Sequence, residues 1–449
     1  MHIDFNNSRS IISKHMLADG MSPIIDLDKS HGSWLVDGRT GRKYLDLFSM
    51  YASMSVGYNH PYLLENIERI TKAAINKPAN SDIYSPEMAT FVDTVAKHAQ
   101  PAYLPYAFFI EGGALAVENA LKTAFDWKAK KNISAGINTI PTSVLHLKDC
   151  FHGRTRYTMS LTDSPDIRKT QYFPKFNWPR VTNPSVHFPL DDDSTKLLIK
   201  KEKQSIDEIK HFIFKSKDEI ACLIIEPIQG EGGDNHFRQE YFKELKTLSL
   251  ENDFLLIYDE VQTGVGITGK MWAHQYFEPK FNTEERDHCK KMEPDIICFG
   301  KKTQVCGIFA GKRLDEVDNH VFKESSRINS TFGGNLTDMV RFTIYLEIIN
   351  KENLIQKASE NGKYLLSKLY ELQSNNLNLV SNSRGKGLFC AFDLPDSEKR
   401  DLFVQHMEKE GALILGCGKK SIRFRPHLNI SKDNIDRAYL MLSNSLSKL

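Results

Sequence analysis

Two apolar runs, each as long as a buried strand, end in charged residues, and this pair of strand ends constrains the fold most. The run L-L-I-Y-D ends at Asp259, and the run I-I-C-F-G-K-K ends at Lys301 and Lys302. In open α/β sheets the ligand crevice lies outside the carboxyl ends of the strands. We therefore expect a carboxylate and an amine to meet at one edge of a sheet.

Such a pair suits an aldehyde cofactor such as pyridoxal phosphate. The aldehyde needs a lysine amine for a Schiff base, and its pyridine nitrogen needs a carboxylate that keeps it protonated. A buried salt bridge, or two unrelated strand ends, would produce the same pattern, because acids and lysines often follow strands. Spacing alone does not choose between these interpretations, nor between the two lysines.

Length and composition favour a small-molecule partner. The chain has 449 residues, enough for about two or three domains, and 41% of them are hydrophobic and 26% charged. The formal net charge of +2 gives no electrostatic reason to expect binding to nucleic acid or to an acidic membrane, since either needs a clustered basic surface.

The sequence also predicts a cytoplasmic protein with reduced thiols. The first residues, M-H-I-D-F-N-N-S-R-S, lack the basic and apolar regions of a signal peptide, and no segment has the roughly 18 uninterrupted apolar residues of a membrane span. The seven cysteines are odd in number and include no C-x-x-C pair. We therefore expect neither a disulfide framework nor a metal site.

A predicted strand, glycine turn and helix form a candidate anion site. The run A-F-F-I-E-G-G-A-L-A-V-E-N-A passes from an apolar strand through Gly112 and Gly113 into a helical pattern. Unpaired N–H groups and the helix dipole converge at such a turn, where Gly112, Gly113 and Ala114 would present N–H groups to a phosphate. An ordinary strand-to-helix connection is the alternative.

Several further residues have two interpretations each. Phe151 and His152, after a predicted strand, lie where an aromatic would cover a planar ring or simply pack, and Arg154 would bind an anion or remain a solvated surface residue. The polar loop that contains Asn329 and Thr331 would contact phosphate or cap the next helix.

Strands and helices alternate through the middle of the chain at separations that predict parallel βαβ units. Both chain ends have short strands with turns, so we predict that 1–60 and 343–449 share a small domain beside a large domain of 61–342. The charged, apolar-poor stretch 278–293 should be a solvated insertion.

Six motifs, in this order, carry a family resemblance: E-G-G-A-L-A-V-E-N-A, F-H-G-R, E-P-I-Q-G-E-G-G, D-E-V-Q-T-G-x-G, P-D-I-x-x-F-G-K and S-T-x-G-G-N. Together they resemble the class III aminotransferases of the fold-type I pyridoxal phosphate enzymes. The resemblance implies an α/β fold, in which a large domain has a mostly parallel sheet flanked by helices and a small α+β domain is built from both chain ends.

The resemblance also implies roles for individual residues. The family pattern places the Schiff-base lysine directly after the glycine, which selects Lys301, and it pairs Asp259 with the pyridine nitrogen. The implied cofactor contacts are Gly113, Ala114, Phe151, Gln262 and Thr331, with Thr331 supplied by the partner subunit of a homodimer. The implied substrate contacts are Arg154, Glu231, Asn329 and Arg423.

The segments N-K-P-A-N-S-D-I-Y-S and F-G-K-K-T-Q-V-C-G are similar to segments of family members that act on the terminal amine of L-lysine. This similarity implies transfer of the ε-amino group of L-lysine to 2-oxoglutarate, giving 2-aminoadipate 6-semialdehyde and glutamate. Arg423 would bind a carboxylate of 2-oxoglutarate, and Glu231 would neutralise Arg423 while the diamino donor is bound.

Other activities stay open from the sequence. Related enzymes act on ornithine or 4-aminobutyrate, and the shared motifs do not separate these donors from lysine. A binding protein that keeps the fold without turnover is a further alternative. The presence of Lys301, Asp259 and the phosphate loop argues against it, because such a protein has no chemical need for all three.

Overall fold

A seven-stranded sheet forms the centre of the computed structural model, which describes residues 3–277 and 292–449. Most of the predicted insertion at 278–293 therefore lies outside the described residues. The strands are β1 (Trp34–Val36), β2 (Lys43–Asp46), β3 (Tyr106–Ile110), β4 (Ser143–Leu147), β5 (Arg180–Val181), β6 (Ile220–Ile225), β7 (Leu255–Asp259), β8 (Ile296–Phe299), β9 (Cys306–Ala310), β10 (Ser381–Lys386), β11 (Phe389–Asp393), β12 (Ala412–Leu413), β13 (Leu415–Cys417) and β14 (Ser421–Phe424).

Helices accompany these strands through the described parts of the chain. They are α1 (Phe5–Ile12), α2 (Pro61–Glu65), α3 (Ile67–Ile75), α4 (Pro86–His98), α5 (Gly113–Ser134), α6 (Arg156–Leu161), α7 (Asp192–Ser216), α8 (Gln239–Glu251), α9 (Leu336–Lys351), α10 (Leu354–Asn375), α11 (Ser397–Glu410) and α12 (Lys432–Leu446).

The central sheet has the order β3-β9-β8-β7-β6-β4-β5. Strands β5, β4, β6, β7 and β8 run parallel, whereas β9 is antiparallel to both of its neighbours, β8 and β3. Every residue of β6 and of β7 is buried, which explains why these strands appear in the sequence as continuous apolar runs. The predicted α/β fold with a mostly parallel sheet is confirmed.

The topology brings three chain segments to one edge of this sheet. Because β9 is antiparallel to both β3 and β8, the carboxyl ends of β3, β7 and β8 lie on the same side. Helix α5 begins at Gly113 directly after β3, and its alanines Ala116, Ala120 and Ala124 are fully buried in a shared apolar core. The amino terminus of α5 is thereby held beside the ends of β7 and β8.

Residues from the two ends of the chain share a second, three-stranded sheet of order β1-β2-β12. Strand β12 pairs in parallel with β2 through Ala412 and Leu45, while β10, β11, β14 and β13 form a separate four-stranded sheet. The predicted boundary at residue 343 falls inside helix α9, which runs without a break from 336 to 351. The division into a large and a small domain stays a prediction.

Candidate active site

A cavity of about 380 Å³ opens at the carboxyl edge of the central sheet. Of the eleven site residues predicted from the sequence, nine line it. The full lining consists of Phe48, Tyr51, Gly113, Ala114, Phe151, His152, Gly153, Arg154, Glu226, Glu231, Asp259, Val261, Gln262, Lys301, Leu415, Arg423 and Arg425.

The two adjacent lysines after β8 have different surroundings. Lys301 lines the cavity, and burial, together with the positive charge of Arg423, lowers the pKa of its amine. Lys302 is buried elsewhere, where its Nζ donates a hydrogen bond of 2.9 Å to the carbonyl of Ala52. Lys301 has a φ of 54°, in the left-handed region, and begins the short turn Lys301–Thr303. This geometry supports Lys301 as the reactive amine.

The Ala52 carbonyl ends a left-handed turn that shapes the cavity wall. Residues 49–52 all have φ between 41° and 64°, an uncommon conformation for side chains other than glycine. The hydroxyl of Ser49 donates to the carbonyl of Arg425, and Lys302 holds the other end of the turn. The turn places Phe48 and Tyr51 in the cavity lining.

Asp259 lies at the end of β7 and is paired with a buried histidine. Its Oδ2 is 2.8 Å from Nδ1 of His152, and its Oδ1 accepts a hydrogen bond of 3.0 Å from the backbone N–H of Val261. Burial acts to lower the pKa of His152, but the neighbouring Cys150 and the Asp259 carboxylate outweigh it and raise that pKa well above its usual range. The pair fixes the position of the Asp259 carboxylate at the edge of the cavity.

The amino terminus of α5 forms an anion cradle at the same edge. Gly112 is the N-cap residue with a φ of 100°, and no side chain caps the N–H groups of the first turn. Gly153 closes this part of the wall, since a Cβ at that position would lie 2.7 Å from the Cβ of Ala114. Unpaired N–H groups at the positive end of a 22-residue helix suit a phosphate.

Glu226, at the end of β6, holds the backbone around Phe151. Its Oε1 accepts from the N–H of Phe151 at 2.9 Å, and its Oε2 accepts from the N–H of Gly230 at 3.0 Å. Burial raises the pKa of Glu226 to about 7. The carboxyl group thus fixes the loop that carries the Phe151 ring into the cavity.

An arginine orients the amide of Gln262. The Nε of Arg425 donates to Gln262 Oε1 at 3.0 Å, while its Nη1 donates to Asp234 Oδ2 at 2.9 Å. Because Oε1 is engaged by the guanidinium, the amide nitrogen of Gln262 is the group left to donate to a ligand oxygen.

Glu231 and Arg423 form an ion pair in the cavity wall. Oε2 of Glu231 lies 2.8 Å from Nη1 of Arg423, and the guanidinium is buried. The Nε of Arg423 has no hydrogen-bond acceptor among the described residues. A buried cation with an unused donor is suited to a second carboxylate.

Of the remaining predicted residues, Arg154 lines the cavity and is exposed. Asn329 and Thr331 do not line it, and both are exposed in the single chain. The helix-capping alternative for Thr331 is not what the structure shows, because Asn335 caps α9 by accepting from the N–H of Thr337 at 2.9 Å.

Several residues of the cavity wall have contacts that the sequence does not reveal. The sequence places His152 beside Phe151 as an aromatic for covering a ring, whereas in the structure its Nδ1 contacts Asp259. Glu226 and Arg425 are recognisable in the sequence only as charged residues at strands, and their buried contacts identify them as positioning groups. Lys169, which donates to Glu231, left no recognisable signal in the sequence.

Chemically, the residues of this cavity fit a planar, phosphorylated aldehyde. An anion cradle, a carboxylate fixed by an imidazole, an aromatic ring and a partly buried amine of lowered pKa all face one space. The amine provides the nucleophile for an aldehyde, and the carboxylate suits a protonated ring nitrogen.

Comparison with known proteins identifies the family. The aminotransferase class-III family matches residues 16–446. The L-lysine-epsilon aminotransferase of Mycobacterium tuberculosis is 46% identical over 441 residues, which cover 97% of this chain and 94% of that protein. Human mitochondrial 4-aminobutyrate aminotransferase is 32% identical over 437 residues, which cover 92% of this chain and 82% of that protein.

Solved structures show the same relationship. A structure of lysine aminotransferase from M. tuberculosis superposes with a TM-score of 0.94 at 44% sequence identity, covering 99% of this chain and 100% of that one. In residues 3–277 and 292–449, no helix is long and apolar enough to cross a membrane. The chain is an aminotransferase and belongs to the class-III aminotransferase family.

Proposed function

We propose that this protein transfers the ε-amino group of L-lysine to 2-oxoglutarate with pyridoxal phosphate as cofactor, giving 2-aminoadipate 6-semialdehyde and glutamate. The observation that carries the proposal is the arrangement of charges in one cavity. The amine of Lys301 lies in the same cavity as the carboxylate of Asp259, the helix terminus at Gly113 and the ion pair of Glu231 with Arg423.

The chain's own residues account for cofactor binding. Gly113 and Ala114 would hold the phosphate by N–H groups, Phe151 would stack on the ring, and Gln262 would donate to the ring oxygen. Asp259, positioned by His152, would hold the proton on the ring nitrogen. When bound, the cofactor supplies an electron-accepting ring that stabilises negative charge at the carbon bearing the transferred amine.

Lys301 would act as the base of the reaction. Burial and Arg423 lower the pKa of its amine, so a larger fraction is neutral near neutral pH than for an exposed lysine. The neutral Nζ can take a proton from the donor's ε-carbon, and in the reaction of the acceptor the same group can deliver a proton to the α-carbon of the glutamate that forms. The apolar wall of Phe48, Tyr51 and Leu415 helps to exclude water from this step.

The two substrates make opposite demands on Arg423. The ε-ammonium of the donor would be repelled by a free guanidinium, so Glu231 neutralises it during the first half-reaction. The acceptor presents a carboxylate in the same place, which pairs with Arg423 once Glu231 moves aside. Arg154 would bind the donor's α-carboxylate far from the reacting carbon, and Asn329, which does not line the cavity of its own chain, would contact that carboxylate across the dimer interface.

A homodimer completes the site in this proposal. Thr331 would supply its hydroxyl to the phosphate held by the partner subunit. Its exposure in the single chain, and its absence from the cavity of its own subunit, support that role.

A panel of amino donors tests the proposed substrate. Purified protein with pyridoxal phosphate and 2-oxoglutarate should form glutamate fastest with L-lysine, and more slowly with ornithine or 4-aminobutyrate. A faster rate with either alternative donor at equal concentration would replace lysine in the proposal, and no glutamate from any donor would refute it.

A further inference from the structure

Two cations share the carboxylate of Glu231. Its Oε2 lies 2.8 Å from Arg423 Nη1, and its Oε1 accepts a hydrogen bond of 2.7 Å from Lys169 Nζ. Lys169 ends the short turn Ile167–Lys169 and is not part of the cavity lining. Its ammonium also lies 5.8 Å from the centre of the Phe151 ring, close enough for a weak cation–π contact.

The two cations engage different oxygens of Glu231. Lys169 Nζ donates a hydrogen bond to Oε1, whereas Arg423 Nη1 forms an ion pair with Oε2, and the Nε of Arg423 has no acceptor among the described residues. Arg423 therefore keeps unused donors that a ligand carboxylate can engage. Glu231 keeps Lys169 as a partner when that happens.

We propose that Lys169 is a positioning residue that holds Glu231 while Arg423 binds the carboxylate of the acceptor. The inference rests on the proposed function, in which the acceptor competes with Glu231 for Arg423. A carboxylate that leaves one cation in a largely buried place is destabilised unless another cation holds it. Because Lys169 bonds the opposite oxygen, Glu231 can leave Arg423 and stay paired.

The charges of these three side chains determine how removal of Lys169 should change binding of the acceptor. When Glu231 is ionised, Glu231, Arg423 and Lys169 together carry a net positive charge. This charge favours binding of a dicarboxylate over binding of an ammonium group. Removal of the Lys169 charge should strengthen the hold of Glu231 on Arg423. The acceptor would then bind more weakly, while the donor step, for which Glu231 must stay on Arg423, would not slow.

Binding of glutarate provides a readout that does not depend on turnover. Glutarate carries two carboxylates like the acceptor but no keto group, so calorimetry on cofactor-loaded protein measures affinity alone. Lys169→Met should raise the Kd about tenfold, the size expected for loss of a charged hydrogen bond. Lys169→Arg, which keeps the cation, and Lys175→Met, an exposed lysine of the same segment, should stay within about twofold of wild type.

A double-variant cycle distinguishes two roles for Lys169, which either holds Glu231 or binds the ligand directly. In a Glu231→Gln background, Lys169→Met should cause no further loss of glutarate affinity, because the carboxylate that Lys169 holds is gone. A similar loss in both backgrounds would show that Lys169 binds the acceptor directly. An unchanged Kd for Lys169→Met in the wild-type background would also overturn the proposal.

Single-turnover measurements of each half-reaction complete the test. Lys169→Met should slow the reaction of the pyridoxamine-phosphate form with subsaturating 2-oxoglutarate and leave the reaction with lysine no slower. Equal losses in both would show that Lys169 only supports the fold. A wild-type protein that rejects lysine but reacts with 2-oxoglutarate would refute only the proposed donor and leave the glutarate test decisive. One that neither binds glutarate nor reacts with 2-oxoglutarate would refute the acceptor and the role of Lys169 together.

Discussion

His152 and Asp259 form a buried pair in which Nδ1 and Oδ2 lie 2.8 Å apart, although 107 residues separate them in the chain. The Nε2 of His152 has no hydrogen-bond partner in the described residues, and the side chain of Cys150 is a second polar group beside this imidazole. A carboxylate fixed by this contact at the edge of the cavity suits a protonated ring nitrogen.

Replacement of Asp259 should therefore disable the chemistry while sparing the cofactor. Asp259→Asn keeps the shape but cannot hold a proton on the ring nitrogen, so turnover should fall roughly 100- to 1,000-fold, the size of other losses of a fixed electrostatic contact. Cofactor content, measured after denaturation, should stay near one per chain. Turnover close to that of wild type would contradict the role given to Asp259.

The adjacent lysines provide a matched pair of variants. Lys301→Ala should abolish turnover and prevent covalent trapping of the cofactor by borohydride, because no other amine in the described cavity lining is available. Lys302→Met, which removes a buried amine bonded to the Ala52 carbonyl, should still be trapped. Peptide mapping by mass spectrometry locates the attachment, and trapping at 302 in place of 301 would reverse the assignment.

Glu226 should make stability depend on pH in the cofactor-free protein. Its pKa is about 7 in the folded chain against an ordinary value of 4.5, so folding favours the protonated carboxyl. Its stabilising contribution is complete below pH 4.5 and is lost as the pH rises to about 7, an effect of about 3 kcal/mol.

The check is a comparison of melting temperatures across pH. Relative to Glu226→Gln, which cannot ionise, the wild type should lose stability from pH 5 to 7 and then level off. Glu244→Gln, at an exposed position of α8, serves as the control and should follow the wild type at every pH. A constant difference between wild type and Glu226→Gln would show that Glu226 does not titrate in this range.

Much of the fold could be predicted because buried parallel strands appear as continuous apolar runs. The runs that end at Asp259 and before Lys301 are recognisable in this way, and they form β7 and β8, in which every residue is buried. The left-handed turn at 49–52 is not predictable from the sequence, since it depends on contacts with Arg425 and Lys302, which lie far away in the chain.

At the candidate site, the residues at strand ends are predictable from the sequence, whereas their hydrogen-bond partners are not. Both lysines after β8 follow the same apolar run, so periodicity does not separate them, whereas their different hydrogen bonds do. Lys169 and Glu231 are 62 residues apart, and no local pattern relates a loop lysine to a distant glutamate. Such pairs become visible only when the chain is folded.

The central claim, transfer of the ε-amino group of lysine, is tested most directly by isotope labelling. Lysine labelled with ¹⁵N at the ε position, incubated with the protein, pyridoxal phosphate and 2-oxoglutarate, should give ¹⁵N-labelled glutamate by mass spectrometry. Lysine labelled only at the α position should give unlabelled glutamate at the same rate. Label from the α position, or glutamate without label from the ε position, would contradict the account.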